Sequence, residues 1–143
     1  MTPKSEVIET DILVAGSGIA GLSFALRAGA YARVFVVTKK ELVDANTNYA
    51  QGGIAAALAM ADSPQNHIRD TLLCGDGLSN ESVVRRVVTD APNFIRELEE
   101  WGVRFTRGRG GSLDLGLEGG HSARRIVHAQ DFTGKEIERA LVK

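Results

Sequence analysis

The 143-residue chain has a single cysteine, Cys74, so it has no internal disulfide, and its thiol usage fits a reducing compartment. The simplest reading of Cys74 is a small buried hydrophobe. No long apolar run is present either. The longest, Gly53 to Ala61, is far too short to span a bilayer, which argues against an integral membrane segment. Met1 to Thr10 mixes Lys4, Glu6 and Glu9 with no apolar stretch, so no signal peptide is expected there. Charge of one sign is also missing. Seventeen Lys and Arg stand against 18 Asp and Glu, a formal net charge of −1, which leaves no basic excess for nucleic acid and no acidic tail. With 43% hydrophobic residues, the composition is that of an ordinary globular domain, expected in the cytoplasm.

What the chain does have begins at its N-terminal end. The apolar run Ile12-Leu13-Val14-Ala15 leads directly into Gly16-Ser17-Gly18-Ile19-Ala20-Gly21, and a helical pattern follows to about Ala30. A strand, a glycine turn and a helix in this order form a dinucleotide pyrophosphate site. Gly16 permits the turn, Gly18 lets backbone approach phosphate, and Gly21 allows close helix–sheet packing. The free N–H groups at the helix start, aided by the dipole, favour an anion. Leu22, Ala25, Leu26 and Gly29 form the compact face that should meet the sheet. Arg33 to Thr38 reads as the second strand of a right-handed βαβ unit. A ribose-binding carboxylate is expected at its end. The chain has Thr38-Lys39-Lys40 there instead, with Glu41 as the first carboxylate. Either the adenosine is held differently or the glycine pattern is a decoy.

Further along, Ser63-Pro64 predicts an N-cap and first position for a helix ending at Gly75 or Gly77. Asn80 caps a longer helix whose apolar face is Val84, Val87, Val88, Ala91, Ile95 and Leu98. Pro92 should kink or split that helix, and Trp101 is most simply a core residue. Thr106 to Gly120 is glycine-rich and polar, a surface loop. Thr133-Gly134-Lys135-Glu136 matches a capping box opening a helix with Ile137, Ala140 and Leu141 on one face. That helix runs to Lys143 without a stop signal, so we read residues 1–143 as the front part of a longer protein.

Three segments together resemble one family. They are Gly16–Gly21; the run Asn46-Thr47-Asn48-Tyr49-Ala50-Gln51-Gly52-Gly53-Ile54-Ala55; and Glu118-Gly119-Gly120-His121-Ser122 with Arg124-Arg125-Ile126-Val127-His128-Ala129 and Asp131-Phe132-Thr133-Gly134. The chain from Thr10 to Leu141 is similar to the N-terminal part of the L-aspartate oxidases, within the fumarate reductase and succinate dehydrogenase flavoprotein superfamily. The resemblance implies an α/β, Rossmann-like FAD-binding βαβ fold, incomplete in residues 1–143, without the capping and C-terminal helical domains. In that superfamily the second strand commonly ends in Ser or Thr followed by Lys, as Thr38-Lys39 do here, which answers the missing carboxylate.

The resemblance also implies residue roles. FAD would be held by Gly16, Ser17, Gly18, Ile19, Ala20, Gly21, Thr38, Lys39 and the run from Asn46, Thr47, Asn48, Tyr49 and Ala50 to Gln51, Gly52 and Gly53. Gln51 and Thr47 offer donors and acceptors for ring edges and ribityl hydroxyls, while Gly52 and Gly53 remove side chains near a flat ring. Read alone, this run is a glycine-containing turn before an apolar segment. Membrane-bound members have a flavin-linked histidine where this chain has Asn46, so the FAD here is expected to be non-covalent. Glu118 stands where dicarboxylate enzymes have an apolar aromatic, and it would pair with the α-ammonium of L-aspartate. Read from its own chemistry, His121 is either a structural histidine, the commoner case, or a donor to a substrate carboxylate. Arg124 and Arg125 could hold phosphates or carboxylates, although adjacent positions usually face apart. Catalytic residues are expected beyond Lys143, and no metal ligand set is seen. The implied activity is oxidation of L-aspartate to iminoaspartate, with oxygen or fumarate as acceptor and quinolinate synthase as a downstream partner in NAD synthesis. A succinate or fumarate flavoprotein, or a truncated nucleotide-binding module without turnover, are the alternatives.

Overall fold

A computed structural model describes residues 7–143; the N-terminal reading that rests on Lys4 and Glu6 lies outside the described residues. Strand β1 (Ile12–Ala15), helix α1 (Ile19–Ala28) and strand β2 (Val34–Val37) form the expected parallel βαβ unit, with Ile12 opposite Val34 and Ala15 opposite Val37. Strand β1 has the bounds read from sequence, while β2 and α1 are trimmed by a residue or two. Asp11 fixes the entry to β1, its carboxylate accepting from the Arg33 backbone N–H at 2.9 Å and from the guanidinium at 3.1 and 3.2 Å.

The turn explains the glycine spacing. Gly16 sits at φ +106°, a conformation that L side chains rarely adopt. A Cβ on Gly21 would lie 2.1 Å from the Gly16 carbonyl oxygen, so only glycine lets α1 come this close to the end of β1. The other face of β1–β2 is uncovered, with Leu13 63% and Phe35 37% exposed. Leu26, expected on the buried face of α1, is exposed; Leu22 is the one fully buried side chain of that helix.

A three-stranded antiparallel sheet forms from widely separated pieces: β3 (Ile54–Ala55), β4 (Leu115–Gly116) and β5 (Ile126–Val127), in the order β3-β5-β4. The glycine-rich stretch after Thr106 is thus no simple loop. It folds back on itself through an Arg107–Leu113 bridge and continues into β4. Gly53 is required here for packing. A Cβ would meet Ile126 Cγ2 and the Val127 carbonyl oxygen, each at 2.4 Å.

Helices α2 (Pro64–Cys74) and α3 (Glu81–Glu100) start as predicted. The Ser63 hydroxyl accepts from Asn66 N–H at 3.1 Å, and Asn80 Oδ1 accepts from Ser82 and Val83 N–H at 3.1 and 3.3 Å. Pro92 does not split α3, which is continuous over 20 residues. An interior proline costs about 3 kcal/mol. Burial of Val88, Ile95 and Leu98 contributes roughly 1.5–3 kcal/mol per side chain and outweighs it. Val87, assigned to the same face, is exposed, because the buried stripe is narrower than the apolar one. Trp101 packs against the core formed by α1, α3, α4 and the small sheet.

Helix α4 (Thr133–Leu141) buries Ile137, Ala140 and Leu141 as expected, but the capping box does not form. Phe132 occupies the N-cap position; the Thr133 hydroxyl accepts from Ala129 N–H at 3.1 Å instead. Glu136 accepts from Arg104 N–H at 2.8 Å and pairs with Arg139. Those partners, 32 residues away and one turn ahead, outcompete the local cap. Glu138 is buried with neither carboxylate oxygen bonded, and that burial pushes its carboxyl above the usual range.

Candidate functional site

The segments singled out for a nucleotide meet at the start of α1. The N-cap residue of that helix, Gly18, is extended and has no side chain to cap it. The Ile19 N–H instead donates to Thr47 Oγ1 at 2.9 Å, across 28 residues of sequence. Ser17, almost fully buried, donates to Thr38 Oγ1 at 3.1 Å and ties the glycine turn to the end of β2. The segment Asn46–Tyr49 is a single 3₁₀ turn. It is pressed against α4, where Gly134 N–H donates to the Ala50 carbonyl at 2.9 Å. A Cβ on Gly134 would lie 1.8 Å from the Thr47 carbonyl oxygen. A glycine in α4 thus sets the height of the turn carrying Thr47.

Around this junction the chain leaves space. No atom stands within 4 Å of a Cβ built on Gly16 or Gly52, and Gly18 would meet only Thr47 Oγ1 at 3.4 Å. An open glycine surface at a helix N-terminus fits a diphosphate. Asn46, Gln51, Gly52 and Lys39 are exposed, free to reach a ligand, and Asn48 is half-buried. Tyr49 is less free. Its hydroxyl donates to Asp44 at 2.7 Å, and Lys40 pairs with the same carboxylate at 3.0 Å. Tyr49 and then Lys40 hold Asp44 below the usual carboxylate range. Gly53 packs against β5 where a Cβ would not fit, and its backbone remains exposed.

The second group of predicted residues sits at the other end of the small sheet. Glu118 is exposed, and its carbonyl accepts from His121 N–H at 3.3 Å. The next residues are anchored firmly. Asp70 of α2 accepts from the Ser122 N–H at 2.8 Å and from its hydroxyl at 2.7 Å. Arg125 has a fully buried side chain. It bonds Asp62 through Nε and NH2 at 2.8 and 2.9 Å, and Asp70 through NH1 at 2.8 Å. Ser122 first, then Arg125, holds the Asp70 carboxyl well below the usual range. Arg124 does face the other way, its guanidinium donating to the Leu115 carbonyl at 3.3 Å.

Asp62 and Asp70 were not legible as site residues. They lie 63 and 55 positions from Arg125, and no local pattern marks either. Cys74 is a further correction. It is exposed, not buried, its Sγ 3.6 Å from the Gly120 carbonyl oxygen. Gly120 has φ +82°, and a Cβ there would strike that sulfur at 2.6 Å. No bond among the described residues joins Glu118 or His121 directly to the α1 turn. The connection runs through the sheet: β5 follows the anchored loop and pairs with β3, which follows Gln51–Gly53.

Parallel βαβ unit, glycine turn and Thr47 contact together define the nucleotide-binding part of a flavoprotein. The sequence matches the FAD binding domain family over residues 11–143, and the chain belongs to that family, with FAD as its cofactor. It is similar to an L-aspartate oxidase of Nicotiana tabacum, 51% identical over 133 residues, which are 93% of this chain and 20% of that protein. An L-aspartate oxidase of Streptomyces coelicolor is 49% identical over 138 residues, 95% of this chain and 24% of the other. Among solved structures, a chain of the Mycobacterium smegmatis Sdh1 complex superposes with a TM-score of 0.87 at 38% identity, over 92% of this chain and 23% of that one. An E. coli quinol fumarate reductase chain gives 0.89 at 30% identity, over 96% and 24%. The chain thus spans about a fifth to a quarter of the length of the curated relatives it matches. No helix among the described residues is long and apolar enough to cross a membrane.

Proposed function

We propose that the complete protein is an L-aspartate oxidase that converts L-aspartate to iminoaspartate, with this chain supplying the pyrophosphate turn and one wall of the substrate site. Bound FAD would supply the hydride acceptor. Gly16 to Gly21 would receive the diphosphate on the start of α1, with Thr38 and Lys39 near the adenosine. Asn46 to Gly53 would lie along the rest of the cofactor, Thr47 and Gln51 offering hydrogen bonds. Electrons would pass on to oxygen or fumarate. The product would be used by a quinolinate synthase in the cytoplasm. Catalytic groups are expected in the part of the protein beyond Lys143.

One observation carries the choice of substrate. Glu118 is an exposed carboxylate on a loop whose next residues are fixed by buried Asp70 and Arg125. An exposed carboxylate beside anchored residues suits the ammonium of an amino acid, a charge that succinate and fumarate lack. The names of the relatives at 49–51% identity support the same reading. The structural neighbours named for fumarate reductase favour a dicarboxylate enzyme as the second reading.

Glu118→Gln in the complete protein separates the two. A charge-assisted hydrogen bond is worth roughly 1.5–3 kcal/mol, so kcat/KM for L-aspartate should fall about tenfold to a hundredfold. Fumarate reduction should change far less. Equal loss of both activities would mean that Glu118 only holds the loop.

Asn46 bears on the cofactor linkage. Its amide is exposed and carries no nucleophile able to bond the flavin, so the FAD should be non-covalent. Acid precipitation of the complete protein should leave the flavin in the supernatant; a yellow pellet would contradict the assignment.

A further inference from the structure

We propose that Arg125 fixes His121 as a one-sided hydrogen-bond donor, with its only N–H at Nε2, and that this N–H binds a carboxylate oxygen of the amino-acid substrate beside Glu118. Arg125 NH1 lies 3.2 Å from His121 Nδ1. A guanidinium carries donors and no acceptor, so the imidazole nitrogen facing it must be the one with the lone pair. The ring proton is then left at Nε2.

Arg125 cannot turn away to release this constraint. Its side chain is fully buried, and its nitrogens also bond Asp62 and Asp70 at 2.8 to 2.9 Å. Asp70 in turn grips both the N–H and the hydroxyl of Ser122, the residue next to His121. The His67 ring also meets His121 edge-on, with centroids 5.5 Å apart. Backbone, tautomer and ring are each held by a different partner. Two carboxylates satisfy the Arg125 charge.

Three residues before it, Glu118 offers only acceptors. An acceptor carboxylate and a neutral donor on one anchored loop match the two poles of an α-amino acid: ammonium to Glu118, carboxylate to Nε2–H. This step rests on the proposed amino-acid substrate, but its structural half does not. In these terms His121 determines specificity, while Arg125 and Asp70 are positioning residues.

The test has two arms in the FAD-loaded complete protein. With ¹⁵N-labelled histidine, long-range ¹H–¹⁵N spectra should show His121 as the Nε2–H tautomer, its signals identified by their loss in His121→Gln. Arg125→Lys should give mixed tautomers. A wild-type His121 with its proton on Nδ1 would overturn the proposal, whether or not the lysine variant folds.

The second arm compares two amides. Gln places its amide near Nε2 and Asn places its amide near Nδ1. His121→Gln should raise KM for L-aspartate about threefold and His121→Asn about thirtyfold, with kcat and bound flavin little changed, a binding effect of about one factor of ten between them. Equal effects of the two amides would overturn the carboxylate contact. If the wild type does not oxidise L-aspartate, the amino-acid reading fails on its own. Titration of flavin absorbance with succinate, in wild type and both variants, then decides the donor role by the same order of affinities.

Discussion

Gly18→Val should strip the complete protein of FAD while leaving its fold in place. A Cβ at Gly18 meets only Thr47 Oγ1, at 3.4 Å, which is ordinary van der Waals contact. The Cβ therefore fits the protein, but it stands at the N-cap of α1, where phosphate would have to approach the backbone. Flavin per polypeptide should fall at least about tenfold, equivalent to roughly 1.4 kcal/mol or more of binding. The far-ultraviolet circular dichroism of the apoprotein should match that of wild type. Gly21→Val is the contrasting control. Its Cβ would lie 2.1 Å from the Gly16 carbonyl oxygen, so here the turn itself must break and folding should suffer along with binding. Normal flavin content in Gly18→Val would remove the pyrophosphate from this turn.

The difference between those two glycines shows what could be read from the chain. Strand, turn and helix are contiguous, so their order and the close packing at Gly21 were legible from Ile12 to Ala28. Local caps were legible for the same reason, and Ser63 and Asn80 both cap as expected. Thr133 shows the limit: a fuller capping pattern loses to Ala129, Arg104 and Arg139, whose approach depends on the tertiary fold. The short strands β3, β4 and β5 have two residues each, too few for any periodicity, and they pair across more than 70 positions between Ile54 and Val127. The packing constraint on Gly53 was not legible, because sequence cannot show β5 beside it. Glu118 and His121 were legible only through a family resemblance, and the buried ions that hold their loop were not legible at all.

Arg125→Met should cost about 3–5 kcal/mol of folding stability, the usual penalty for leaving buried charge without its partner. Methionine fills much the same volume, so the loss comes from charge more than from packing. Asp62 and Asp70 are left with side chains 0% and 8% exposed and no counter-charge. Against a typical total of about 5–15 kcal/mol, that is a large fraction. The exposed Arg85–Glu81 pair is the comparison, since surface ion pairs contribute about 0–1 kcal/mol, and Arg85→Met should shift the urea midpoint little. Acidity supplies a second check. The Asp70 carboxyl is held below its ordinary value of 3.8 by Ser122 and then by Arg125. A carboxylate with a depressed pKa adds stability above its unfolded value and loses it as the pH falls toward the folded one. The gap between wild type and Arg125→Met should therefore narrow in acid below about pH 4. Adding Asp62→Asn to Arg125→Met should recover part of the loss at neutral pH, because one of the two stranded charges is gone. Urea unfolding of the four proteins, with Asp62→Asn alone completing the cycle, measures all of this. A loss under about 1 kcal/mol, or no recovery in the double variant, would mean that water reaches the two carboxylates and that the loop carrying Glu118 and His121 is held by Ser122 alone.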